Sequence, residues 1–87
     1  MLKEVLCEAW ETWCGSEGNH QYKHIIVDSE NDAHAVALEF ALSLLDPYMN
    51  DIKHLGDYMA EHYGEDPVDA MHKAMIECAH YELWEKR

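Results

Sequence analysis

Seven histidines and eighteen acidic residues share 87 positions, so the first chemistry to weigh is metal binding and acid–base work. The pattern acid-x-x-His occurs four times, as Glu17/His20, Asp51/His54, Asp69/His72 and Glu77/His80. Carboxylate-bridged di-iron bundles use two such pairs plus a carboxylate from each of two further helices, all aimed inward. Here Asp51/His54 and Glu77/His80 fall on the polar sides of their helices, so the required orientation is missing. Cys14, His20 and His24, together with Cys7, come nearest to a zinc site. The two histidines have a permitted spacing, and Cys14 and His20 flank one turn. Six residues separate the cysteines, however, where structural zinc prefers about two to four. The cysteines therefore read as packed thiols and the histidines as residues of an exposed strand. His72 lies among Val68, Met75, Ala79 and Leu83, on a face expected to be buried, and reads as a core histidine bonded to a carbonyl or carboxylate. There is no Gly-rich phosphate loop, Gly-x-Ser-x-Gly elbow, His-Glu-x-x-His or Cys-x-x-Cys. Neither an enzyme nor a cofactor is expected.

The stronger signal is charge. Eighteen acids against six bases give −12, and each half of the chain carries half of it: eight acids and two bases before Asp46, ten and four from there on. Such a surface repels nucleic acid and anionic lipid and speeds encounter with basic partners. Asp51, Asp57 and Glu61 are expected on one side of a helix, with Asp46, Glu65 and Asp66 at its ends and Lys53 the only base among them. Carboxylates three or four helical positions apart sit about 5 to 6 Å from each other, comparable to phosphates along a nucleic-acid strand. Solubility alone needs a net charge of only about 2 to 8 in magnitude. The rings point the same way. Trp10, Trp13, Tyr22, Tyr58, Tyr81 and Trp84 are more than one small core can hide, and helical wheels place Tyr58 and Trp84 at the polar edge, where aromatics rimmed by acids suit a basic protein partner.

These residues need elements to hold them. Ala33 to Leu45 is the most apolar window. On a helix its aliphatic residues and Phe40 leave only a strip through Asp32, Glu39, Ser43 and Asp46 for water, so it is expected to be a central, sandwiched helix. It is too short, and too close to acids, to span a bilayer. Before it, residues 2–14 read either as an amphipathic helix or as a strand. The glycine-rich turn from Gly15 and the β-rich run Gln21 to Val27 favour a hairpin of residues 4–14 and 20–28. Asp28 to Asp32 collects cap formers. Asp46-Pro47 and Asp66-Pro67 each restart a helix, and Gly64 ends one. The last helix is expected to carry Val68, Met71, Met75, Cys78, Ala79 and Leu83 inward. The expected fold is α+β but mainly helical: one compact domain over 1–87, with a hairpin or helix–strand unit (1–28) followed by three antiparallel-packed helices (29–87).

Residues 1–8 lack the apolar run of a signal peptide and the three cysteines form no disulfide pattern, so a cytoplasmic location is expected. In composition, and in no motif, the chain resembles the small acidic proteins that bacteriophages direct against host defences, the nucleic-acid mimics that block restriction enzymes or CRISPR complexes. That resemblance implies a non-enzymatic inhibitor occupying a basic, nucleic-acid-binding surface of a partner protein, with no direct contact to nucleic acid or membrane. The residues expected to make the contact are Asp51, Asp57, Tyr58, Glu61, Glu65, Asp66 and Trp84. Two other classes stay open: a small metal-binding helical protein using its His, Cys and acid clusters, and a homo-oligomer pairing through the hairpin edge.

Overall fold

Alternation decides the first element. Between Lys3 and Glu11 every second side chain is buried, at Val5, Cys7, Ala9 and Glu11, while Glu4, Leu6, Glu8 and Trp10 face the other way. This is strand β1, Lys3–Glu11, in a computed structural model that describes residues 3–13 and 15–85. Strand β2, Gly18–Val27, pairs antiparallel with it from Lys3 opposite Val27 to Ala9 opposite Gln21, and the register slips between Ala9 and Glu11. Helix propensity in β1 loses to pairing because both edges of the strand are used. Strand β3, Ala79–Glu85, lies antiparallel on its other side, giving the order β2-β1-β3.

The mainly helical fold expected from the sequence is therefore corrected. The molecule is α+β, a three-stranded antiparallel sheet with helices α1 (Glu30–Ser43), α2 (Met49–Tyr63) and α3 (Pro67–Cys78). The error lies at the C-terminal end. Met75, Ala79 and Leu83 are spaced four apart and extend the helical stripe on paper, but α3 stops at Cys78 and Ala79 is extended, at φ −101° and ψ 124°. From there His80, Glu82 and Trp84 alternate with Tyr81 and Leu83, a period of two. The backbone N–H of Thr12 donates to the Cys78 carbonyl at 2.9 Å, tying the end of α3 to the end of β1.

Helix α1 is not sandwiched. Ala33, Ala37 and Ala41, four apart, are its buried residues, and these small side chains let it lie close over one sheet face, against Val5, Cys7, Ile25 and Val27. Its far side is open, with Ala35 exposed and Leu38 37% exposed. A second cluster, Ala9, Ala41, Leu44, Leu45, Ile52 and Ala79, joins the sheet's end to α2. Helices α2 and α3 pack at Gly56, where a Cβ would come within 2.7 Å of both the Pro67 carbonyl oxygen and Met71 Cγ.

The helix ends follow local chemistry. Ser29 Oγ accepts from the Asp32 N–H at 3.2 Å, and Asp66 Oδ1 accepts from those of Val68 and Asp69 at 2.9 and 3.2 Å. Gly64 closes α2 at φ 66°, left-handed. Asp46-Pro47 does not cap α2: residues Asp46–Tyr48 form a separate 3-10 turn, and no side-chain cap bond precedes Met49. The Cα framework measures 49 × 24 × 14 Å. Among the described residues no helix is long and apolar enough to cross a membrane.

Candidate interaction surfaces

Helix α2 projects Asp51, Asp57, Tyr58 and Glu61 into solvent, with the Tyr58 ring half exposed. Asp57 and Glu61, four apart, are direct neighbours on the helix, whereas Asp51 stands on the flank beyond Tyr58, since ten residues at about 100° each separate it from Glu61 by some 80°. Tyr58 is braced from the same helix, its ring 4.2 Å from that of His62 and 6.4 Å from that of Tyr63, centroid to centroid. Glu65 is half-buried beside Leu55, Met59 and Lys73. Asp66 is committed to capping α3. The structure thus brings Asp51, Asp57, Tyr58 and Glu61 together and leaves Glu65 and Asp66 at the ridge's end.

Trp84 is not part of that ridge. It stands in β3 opposite Leu6, on the sheet face turned away from α1, because the segment that holds it is a strand rather than a helix. His72 also departs from expectation. It is exposed, and lines a shallow groove of about 270 Å³ with Leu42, Met75 and Ile76. The inward stripe of α3 is Ala70, Met71, Ala74, Met75 and Cys78, which leaves Val68 55% and Ile76 60% exposed beside it.

The histidines of the β1–β2 hairpin are held by carboxylates. His20 Nδ1 lies 3.1 Å from Glu8 Oε1 and its Nε2 3.3 Å from Glu17 Oε2, and His24 Nδ1 lies 3.1 Å from Glu4 Oε1. Cys14 is outside the described residues, and among those described no three His, Cys, Asp or Glu side chains converge on a point that could hold a metal ion. Burial pushes the Cys7 thiol up from its ordinary value, against a smaller opposing pull from the Lys23 ammonium. Burial also raises the Cys78 thiol, and the hydrogen bond from Thr12 only partly offsets it. Both are poor nucleophiles and poor thiolate ligands at neutral pH.

The chain matches no family model, no curated protein and no solved structure.

Sequence reasoning missed the sheet face opposite α1, which no described helix covers. Across β1 and β3 it sets Leu6 opposite Trp84, Glu8 opposite Glu82 and Trp10 opposite His80, and across β1 and β2 it sets Glu8 opposite Tyr22. The Trp10 indole stacks between two imidazoles, His20 at 5.4 Å and 11° and His80 at 5.8 Å and 21°. His80 Nε2 is fixed in turn by Thr12 Oγ1 at 3.0 Å. The alternation from His80 to Glu85 was the signal that could have revealed this face. Missed too was Glu11, only 2% exposed, whose carboxylate accepts from the Trp13 N–H at 2.7 Å and the Tyr48 hydroxyl at 3.4 Å.

Proposed function

We propose that the protein is a small acidic, non-enzymatic binding protein that occupies a basic, nucleic-acid-binding surface of a partner, as an inhibitor of the anti-restriction or anti-CRISPR kind. The observation that carries the reading is the α2 ridge, where Asp51, Asp57 and Glu61 stand exposed around a braced, half-exposed Tyr58. Carboxylates occur on every helix and strand except β2, so charge alone singles out no surface. What distinguishes α2 among the helices is an exposed ring held among its acids, the combination that gives a charged contact both steering and a fixed anchor.

The test is capture from a lysate on immobilised protein at about 50 mM salt, a concentration at which exposed charges are weakly screened. Reversal of Asp57 and Glu61 together (Asp57→Lys, Glu61→Lys) is expected to lower retention of the basic partner at least about tenfold, as is raising the salt to about 300 mM. A matched reversal on α1 and its leading turn (Asp28→Lys, Glu39→Lys) makes the same change in net charge and should cost much less. Equal losses in the two variants, or retention indifferent to salt, would contradict the reading. Asp66 is left out of the reversal because its loss would uncap α3.

A further inference from the structure

The sheet face opposite α1 is a second surface with a chemistry of its own. At its centre Glu8 and Glu82 are directly opposed across β1 and β3, which sets their Cβ atoms about 4.5 to 5.5 Å apart, and like charges so placed repel. Glu8 is shared by the His20 imidazole and the Tyr22 hydroxyl. Among the described residues no lysine or arginine lies on this face: the strand lysines, Lys3 and Lys23, sit opposite Val27 and Cys7 on the side of α1, Lys23 over the Phe40 ring. Along one flank of the acid row stands Trp84, 52% exposed. Along the other stands Trp10, both of its ring faces taken by histidines, so that it forms a fixed wall. Tyr22, 63% exposed, closes the β2 end of the row.

Two opposed carboxylates beside a half-exposed indole fit one side chain best. A guanidinium is planar, offers paired N–H groups to carboxylate oxygens and stacks on an aromatic ring, whereas an ammonium gains the charge but neither the fork nor the stack. Rings on a sheet also serve as platforms for bases, but the opposed carboxylates of Glu8 and Glu82 at the centre of this face repel phosphates. A second copy of this chain would bring the same carboxylate row and a further −12 to the contact. We propose that this face receives an arginine-bearing segment of a partner protein, one guanidinium lying over Glu8 and Glu82 and stacked on Trp84. This deepens the reading of the protein as a binder of basic partners and rests on it.

The test uses two peptides of equal length and charge, one carrying arginines and the other lysines in the same glycine spacing, titrated into the intact protein at low salt. Affinity and the indole N–H resonances are read together. The arginine peptide is expected to bind about tenfold more tightly than the lysine peptide and to shift the Trp84 indole signal. Trp84→Ala and Glu82→Gln, both at exposed positions, should each weaken it about fivefold and shrink its advantage over lysine. Asp57→Lys with Glu61→Lys should leave the arginine preference intact. Equal affinities for the two peptides, or no effect of Trp84→Ala, would overturn the inference. If both peptides bind and the shifts gather on α2, the sheet-face inference falls while the wider reading stands; if neither binds, both fall. Indole shifts produced by an oligonucleotide, or by protein concentration alone, would give the face to nucleic acid or to a second copy and would also overturn it.

Discussion

Cys7 shows what a residue's surroundings do to its chemistry. It is fully buried between the sheet and α1, and burial holds its thiol above the ordinary 9.0, as it does for Cys78. In the unfolded chain both thiols ionise near the ordinary value, so the stability they contribute is fully present below about pH 9 and is lost as pH rises through the higher folded values. The urea midpoint of the protein should therefore fall between about pH 8 and about pH 10 more steeply than that of a Cys7→Ala, Cys78→Ala variant. Equal slopes would show that these thiols are not protected by burial. Other residue-level features were unreadable in advance for a plain reason. Nothing in Glu8 or Glu82 announces that they will face each other, and nothing in Glu11 announces that a tyrosine 37 positions later will bond to it.

Among the elements, what could be read depended on local signals. The glycine turn and the β-rich run after it placed β1 beside β2, the Asp66-Pro67 pair opens α3, and Gly64 closes α2. These are short-range devices whose physics is complete within a few residues. Strand β3 has no such marker: no glycine or proline separates it from α3, and Met75, Ala79 and Leu83 satisfy a helical period by coincidence. Only pairing to β1, a contact some 70 residues away in sequence, decides the matter. That one switch also moved Trp84 from an expected helical ridge to the sheet. In α3 the same mistaken stripe put His72 inside, whereas the real inner stripe runs through Ala70 and Met71 to Gly56 of α2. Two substitutions separate these accounts. Gly56→Ala forces a Cβ against the Pro67 carbonyl and should cost about 1 to 3 kcal/mol in denaturant unfolding. His72→Ala, at an exposed site, should stay within about 0.5 kcal/mol of the parent. A large loss at His72 with none at Gly56 would reverse the orientation of α3 described above.

At the scale of the whole molecule, a frame of 49 × 24 × 14 Å carries −12 with carboxylates on every element but β2. Small alanines and a few larger side chains such as Leu45 and Ile52 fill the core, with Trp13, Phe40, Tyr48 and Tyr81 packed at its margin, and Tyr22, Tyr58, Tyr63 and Trp84 are left to the surfaces. Two of those surfaces combine rings with acids, the α2 ridge around Tyr58 and the sheet face around Trp84. Under the function proposed above, both would meet one kind of partner, rich in arginine and lysine, which is the composition of a surface that handles nucleic acid. The most direct measurement is competition: a basic partner captured on the immobilised protein at low salt, then challenged with excess duplex DNA. DNA is expected to release the partner in proportion to its concentration, because protein and duplex would fill one basic surface. A partner that stays bound to the protein while it also binds the duplex would contradict it.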